Sequence, residues 1–564
     1  MTLHRMRHLL IASVLSFSGA AFAQAAHDHE HGKPPELVTV TDWARGAQIF
    51  DGLGSFHRTV TTSSPEAQRY FDQGMRFVWA FNHDEATRSF ARAAQIDPAC
   101  ALCYWGVALT LGPNYNMPTM AEARARAGWD ALRKAQASAP KATPVEQALI
   151  GALAARYAGP EALDPTNSAP RLSAYVEAMR EVARQYPHDN DVQTLFAEAL
   201  MNTNPWKLWN EDGSPGPGTP EIVERLKAVL ATDPGHPGAN HYLIHAVEAS
   251  RNPEQALASA EALKAMMPGA GHLVHMPSHI MQRVGRYEEA AEANRLGAAA
   301  DLAYLKLTAP PDYYPMYLVH NYQFLAFAAA MEGRSAEAIA ATRAARGAMP
   351  DTMLVSMPGL DWSIGYLYDS LVRFGRWDEM LGEPTPDRNL AGLSISFHQA
   401  RAIALAAKGR TTEAEQELRS SEALIAAAPG DAAQGMNPAR SVYDIGQHKA
   451  AARLVAAKGN RNEGIALLVQ ATALEDKLSY NEPEDVFFPV RHMLGAMLLD
   501  AGRAGEAESV FREDLRRHPK NGWALTGLKA ALVAQKRLGE LGQIDAELHD
   551  AWAHADQKIE RASY

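Results

Sequence analysis

Tyr70–Pro98 reads YFDQGMRFVWAFNHDEATRSFARAAQIDP, and this stretch decides the fold. Tyr70, Gly74 and Phe77 precede a short turn; Ala86, Phe90, Ala93 and a closing Pro98 follow it. The same order returns near the other end as Leu494, Gly495, Ala507, Phe511 and Pro519. The offsets agree, since glycine to phenylalanine is 90 − 74 = 16 in one and 511 − 495 = 16 in the other. Between them, Ala256 and Pro268 supply the second half of a unit, and Ala290 lies 290 − 256 = 34 residues after Ala256. Further units centre on Gly333-Arg334, Gly375-Arg376-Trp377, Gly409-Arg410, Gly459-Asn460 and Gly502-Arg503. Each such glycine suits the tight turn between two helices, where a left-handed residue is easiest. No run alternates with period two, so strands are not expected. The prediction is an all-α, right-handed α-solenoid of helix-turn-helix repeats with a concave groove.

The bulk properties agree. A chain of 564 residues exceeds one compact core, so an array of repeats fits its length. Apolar residues make up 47% and charged residues 21%, as in a water-soluble globular protein. Lys plus Arg is 54 and Asp plus Glu is 65, a net charge of 54 − 65 = −11, which argues against nucleic acid or an anionic membrane as the main partner. Residues 1–25 read as a secretory signal: His4, Arg5, Arg7 and His8, an apolar stretch from Leu9 to Phe17, then cleavage options at Ala21-Phe22-Ala23 and Ala23-Gln24-Ala25. No later segment is apolar for long enough to span a bilayer. The expectation is an exported protein, periplasmic or secreted. The segments expected are 1–25 signal peptide, 26–43 flexible His-rich leader, 44–202 N-terminal repeats, 203–350 central repeats and 351–564 C-terminal repeats. Asn202 to Pro220, Gly382 to Leu390 and Pro429 to Pro438 read as loops.

On these residues the chain resembles the tetratricopeptide-repeat (TPR) family across about residues 66–535. Phe81-Asn82-His83-Asp84-Glu85-Ala86, Tyr104-Trp105-Gly106 with Gly112-Pro113-Asn114, His275-Met276-Pro277-Ser278-His279, His320-Asn321 and Tyr313-Tyr314-Pro315 resemble a subgroup of exported bacterial members. That subgroup carries no settled activity. The resemblance implies which helix positions face the groove. His241 and His275 take position 5, His245 and His279 position 9, His272 position 2 and Glu248 position 12, so all five histidines are implied to point into the groove. Ile244 and Ser278 stand at position 8, where the family has glycine. His320 falls off the groove positions, at position 3.

The histidines carry the chemistry. His241 plus 34 is His275, and His245 plus 34 is His279. Imidazoles at i and i+4 share a helix face, and stacked repeats set equivalent faces side by side. Neighbouring helices pack about 8–10 Å apart, near enough for two histidines to reach one ion. The candidate metal ligands are therefore His241, His245, His275 and His279, with His272 at the edge and His320 on the next repeat. Copper or zinc suits such a set best, and iron also fits. Glu248, one turn beyond His245, is a candidate ligand, orienting acceptor or base, and Glu198 a candidate carboxylate at the groove wall. Tyr242, Tyr313, Tyr314 and Tyr317 are candidate pocket walls. Pro277 should kink the helix that carries His275 and His279. The bland alternative is a polar groove whose histidines bond one another or a peptide.

Other features weigh less. Asn82-His83-Asp84-Glu85 reads as turn and N-cap chemistry. The alternating tract His27, His29 and His31 can collect metal weakly or be only a solvated leader. Twenty Met and 21 His in an exported chain lean towards copper. Cys100 and Cys103 leave three readings open: a disulfide, which the i, i+3 spacing would strain on a helix, unpaired buried thiols, or a redox or metal role. No His-Glu-x-x-His, nucleotide loop or nucleophile elbow is present. The function expected is a transition-metal site in the groove, serving a hydrolytic or oxidative enzyme. The alternatives are a scaffold that holds a peptide or protein in the groove, and a periplasmic metal (copper) storage or delivery protein.

Overall fold

The computed structural model describes residues 37–564 apart from 165, 309–313 and 357–358. The signal peptide, the His27/His29/His31 tract and Tyr313 lie outside the described residues. What is described is a succession of antiparallel helix hairpins, beginning with Pro65–Trp79 and His83–Ile96 and ending with Gly522–Ala534 and Leu541–Ala551. The two-residue strands Ala433–Gln434 and Asn437–Pro438 form a small antiparallel pair inside one of the expected loops. Among the described residues no helix is long and apolar enough to cross a membrane.

The repeat motif has a packing reason. A Cβ on Gly74 would lie 2.5 Å from the Phe90 ring, and one on Gly106 would meet the other side of that ring at 2.5 Å. Phe511 sits likewise between Gly495 and Gly527, at 2.3 and 2.2 Å. Each phenylalanine thus fills a slot that two glycines leave open, one on its own hairpin and one on the next. The glycines at the turns are left-handed as expected: φ is 74° at Gly333, 64° at Gly375, 73° at Gly409, 95° at Gly459 and 74° at Gly502. In the first hairpin the equivalent turn residue is Phe81, at φ 55°.

The two ends of the array fold back onto its middle. At the N-terminal side, Gly238 is pressed against Trp79, and Gly52 and Gly54 meet Met266 to Gly269. At the C-terminal side, Trp523 Nε1 donates to the Ala330 carbonyl at 2.8 Å, and Asp556 accepts from Ser335 Oγ at 2.8 Å. Tyr366 stacks on Phe487 with centroids 4.1 Å apart. The helices Pro237–Val247, Gly271–His275, Pro277–Arg283 and Pro315–Met331 are consequently sheathed by chain from both directions. This corrects the open-groove expectation for the histidines: they are enclosed by Phe81 of the first hairpin turn, by Tyr115 and Trp206, and by Glu482 from a loop far along the chain.

Two further details settle sequence questions. Cys100 and Cys103 are disulfide-bonded. Cys100 is the N-cap of Ala101–Leu111, with extended backbone at φ −68° and ψ 97°, so the i, i+3 geometry of a helix interior does not apply. The two Cα atoms stand 5.4 Å apart, within the ordinary range for a bridge. Asn82 caps His83–Ile96, its Oδ1 accepting from the Glu85 N–H at 3.3 Å.

Candidate metal centre

Pro237–Val247 supplies His241 and His245 one turn apart. The next hairpin supplies His272 and His275 from Gly271–His275, and His279 from Pro277–Arg283. The break between those two short helices lies at Met276, where Pro277 brings no N–H for the Leu273 carbonyl. Pro315–Met331 supplies His320. All six rings are buried, from 0% exposed for His241 and His275 to 8% for His272. His320, off the groove positions by the repeat frame, is brought into the cluster with its centroid 4.8 Å from that of His275.

The rings fall into two trios. His241, His245 and His272 place ligating nitrogens within 4.8 Å of one another, and so do His275, His279 and His320. The trios adjoin, with centroids 5.7 Å apart for His245 and His279 and 5.9 Å for His272 and His275. Glu248, His279 and Glu482 form a third such group that overlaps the second.

The hydrogen bonds fix the rings by one nitrogen and leave the other inward. His241 Nδ1 donates to the Trp79 carbonyl at 2.6 Å. His245 Nδ1 donates to Glu248 Oε1 at 2.8 Å, and His279 Nδ1 to Glu248 Oε2 at 2.7 Å. His275 Nδ1 donates to Asn294 Oδ1 at 2.6 Å; the Asn294 amide is oriented by its own donation to Ala290 O. With Nδ1 protonated, Nε2 of His241, His245 and His275 carries a lone pair into the chamber. Nε2 of His241 and of His245 and both ring nitrogens of His272 are buried with no partner among the described residues. The Nε2 atoms of His275 and His279 face each other at 2.6 Å.

Charge sorts these rings. Burial, with neighbouring histidines adding to it, holds His241, His272 and His275 well below the usual imidazole range. Burial takes His245 and His320 down to about 3. Burial opposes a charge on His279 as well, but Glu482 and Glu248 outweigh it and raise that ring to about 10. Glu482 Oε2 lies 2.5 Å from His279 Nδ1. That single N–H is aimed at Glu248, so Glu482 Oε2 is left without a donor of its own. Tyr480 donates to the other Glu482 oxygen. Five neutral imidazoles and two carboxylates around one small space form a donor set for a cation.

Aromatic rings seal the chamber. Phe81 stacks on His245 and His272 at 5.6 and 5.7 Å and lies 4.4 Å from His241. Tyr115, Trp206 and Phe324 close other sides. Of the tyrosines named from sequence, Tyr317 borders His272 at 5.2 Å, while Tyr242 and Tyr314 are turned to Val78 O and Asp301. Glu198 is outside the ligating groups: its carboxylate accepts from Asn202 at 2.6 Å, and burial pushes its carboxyl up. Glu482 is the residue that sequence reasoning missed. Its only signal was the loop Tyr480-Asn481-Glu482-Pro483, which interrupts the helical pattern two hundred positions downstream. A cleft of about 820 Å³ runs along the outer side of Trp206 and Tyr480.

No family model matches the sequence, and no curated protein does. Several solved structures are similar to the chain at low identity. Human IFIT1, as a dimer with m7Gppp-AAAA, is 12% identical over 93% of this chain and 98% of its own, at a TM-score of 0.30. Yeast Tom70 is 11% identical over 86% and 92%, at 0.29. Cut9 of the APC/C hetero-tetramer Cut9-Hcn1 is 14% identical over 87% and 76%, at 0.30. The hairpins themselves, with phenylalanines slotted between paired glycines and left-handed turns at a regular spacing, make this chain an all-α solenoid of tetratricopeptide-like repeats.

Proposed function

We propose that the chain is a metalloprotein whose six buried histidines and two glutamates hold a transition-metal centre, with copper or zinc as the favoured ions and iron as a third. One observation carries the reading. Imidazole nitrogens are left buried and unpartnered on rings whose opposite nitrogens are tethered to oxygen acceptors. A buried polar atom without a partner costs about 1–3 kcal/mol. Several together in one chamber need a ligand that takes lone pairs. Tethered Nδ1 with free Nε2 is also the arrangement that orients metal-bound histidines. His241, His245 and His272 form one position, and His275, His279 and His320 a second beside it.

Enclosure separates the rival roles. The rings are sealed by Phe81, Trp206 and Glu482, so a peptide lying in a groove has no access to them. A store that fills and empties calls for many exposed ligands. A sealed site with one or two ions fits a resident cofactor, and a hydrolytic or oxidative reaction at the metal is the activity we assign to it. Glu248 has both oxygens occupied by His245 and His279, which makes it an orienting group. Glu482 pairs through Oε2 with the His279 ring and balances its charge. An exported setting, expected from the leader and signal readings, is part of this proposal.

Elemental analysis of the purified full chain tests the proposal. One or two tightly held ions per chain are expected, with loss of at least one in the His241→Ala plus His279→Ala variant. Circular dichroism on the same samples separates lost ligands from lost fold. Full metal content in a folded double variant sinks the ligand set, and a wild-type chain that takes up no copper, zinc or iron sinks the metal reading.

A further inference from the structure

A cleft of about 820 Å³ lies behind Trp206 and Tyr480, outside the histidine chamber. Its size suits a small organic molecule. Its inner wall is shared with the chamber. The Trp206 ring lies 5.6 Å from His245, and Tyr480 donates its hydroxyl to Glu482. Arg283 stands on the same wall, four residues after His279 on one helix, which is about 6 Å along the axis.

Arg283 is held but not neutralised. Its Nη2 donates to the Ser250 carbonyl at 3.0 Å, and its guanidinium lies 5.3 Å from the Tyr480 ring centroid. Its Nε is buried with no partner among the described residues, and so is the Trp206 indole N–H. Three other arginines of the cleft are paired with acids, Arg517 with Asp476 at 2.9 Å among them, while Arg251 donates to the Asp212 carbonyl. Arg516 gives both ends of its fork to Glu513 at 2.7 and 2.9 Å, and Arg491 pairs with Asp476 at 2.7 Å. Glu484, the acid that Arg283 senses, is already engaged by His518 at 3.0 and 3.2 Å. Trp206 is held in a left-handed conformation, φ 62°. Non-glycine residues keep such backbone where surrounding structure fixes the side chain's position.

A guanidinium with no carboxylate hydrogen-bonded to it and two aromatic side chains thus line one cavity wall beside the proposed metal centre. We infer that the cleft binds a small organic monocarboxylate with an apolar or aromatic body, its carboxylate on the Arg283 guanidinium and its body against Trp206 and Tyr480. A carboxylate matches the fork of a guanidinium edge. A single negative charge is favoured over a phosphate dianion because Glu484 and Asp476 share the cleft. Binding of this ligand does not depend on the metal reading.

Calorimetric titration of the full chain with phenylacetate tests the inference, with phenylacetamide and inorganic phosphate as comparison probes. Saturable phenylacetate binding is expected, weaker by at least about tenfold in Arg283→Met and unchanged in Arg516→Met, which alters a paired arginine of the same cleft. The amide and phosphate should bind at least about tenfold more weakly than phenylacetate. Equal binding of acid and amide, stronger binding of phosphate, an unaffected Arg283→Met, or no saturable binding at all overturns the assignment. Metal content, measured on the same preparations, reports the centre separately, so either idea can fail alone.

Discussion

Phe81 shows how one residue joins fold and site. It occupies the hairpin turn where the later repeats at Gly333, Gly375 and Gly409 place glycine, and it adopts their left-handed backbone. A non-glycine residue there is strained by roughly 1 kcal/mol or more. Its ring covers three histidines, which is what the strain secures. Phe81→Gly should therefore relax the turn while opening the chamber. The expected outcome is a hairpin that still forms, judged by circular dichroism, with metal removed by a chelator at least about tenfold faster than from wild type. Unchanged release would mean that Phe81 does not guard the ions. At this scale the sequence was informative about His241, His245, His275 and His279, because their 34-residue spacing follows from the repeat itself. It was silent on Phe81, since a left-handed phenylalanine carries no mark in the sequence, and on Glu482, since loops have no period.

At the scale of elements, the hairpins are held by shape. Phe90 and Phe511 need the missing side chains of Gly74, Gly106, Gly495 and Gly527. Gly106→Ala forces a methyl group to 2.5 Å from the Phe90 ring. It should lower stability by about 1–3 kcal/mol in chemical denaturation, the usual effect of overpacking. Gly151, in the helix Pro144–Ala154, is the control, since an added Cβ there meets nothing within 4 Å. Gly151→Ala should raise stability by roughly 0.5–1 kcal/mol through helix propensity alone. Equal effects at the two sites would refute the slot. Gly74 and Gly495 were legible as part of the repeat pattern. The chain partner of each was not, because Gly106 and Gly527 lie on the hairpin after the one that carries the phenylalanine. The sequence left the state of Cys100 and Cys103 open because it did not show that Cys100 sits at a helix cap, outside the i, i+3 geometry of a helix interior.

Across the whole molecule, closure of both ends on the middle buries ionisable groups that have no use for a proton. Burial takes His83 down to about 3 and His492 down to about 4, with Arg373 adding to the effect on His492. The sign follows from proton counting. Unfolded histidine titrates near 6.5, so between there and about 4 the unfolded chain binds more protons than the folded one. Stability should fall by on the order of a few kcal/mol as pH drops from about 6.5 to 4, and should also fall as pH rises from about 6.5 towards 10, where His279 and His518 keep protons that the unfolded chain has lost. Urea midpoints of chelator-treated protein at a series of pH values measure this, and a flat profile would show that these rings are not buried neutral. The solenoid was legible from repeats and turns, but its closure was not, because contacts such as Trp79 on Gly238 and Trp523 on Ala330 join segments that share no periodicity. That closure also sets an order in time. A ribosome makes His241 some 482 − 241 = 241 residues before Glu482 exists. The nascent polypeptide therefore presents bare imidazoles long before the carboxylate that completes their enclosure is translated, and an ion captured early would have to be caught again, in its final setting, once the last hairpins dock.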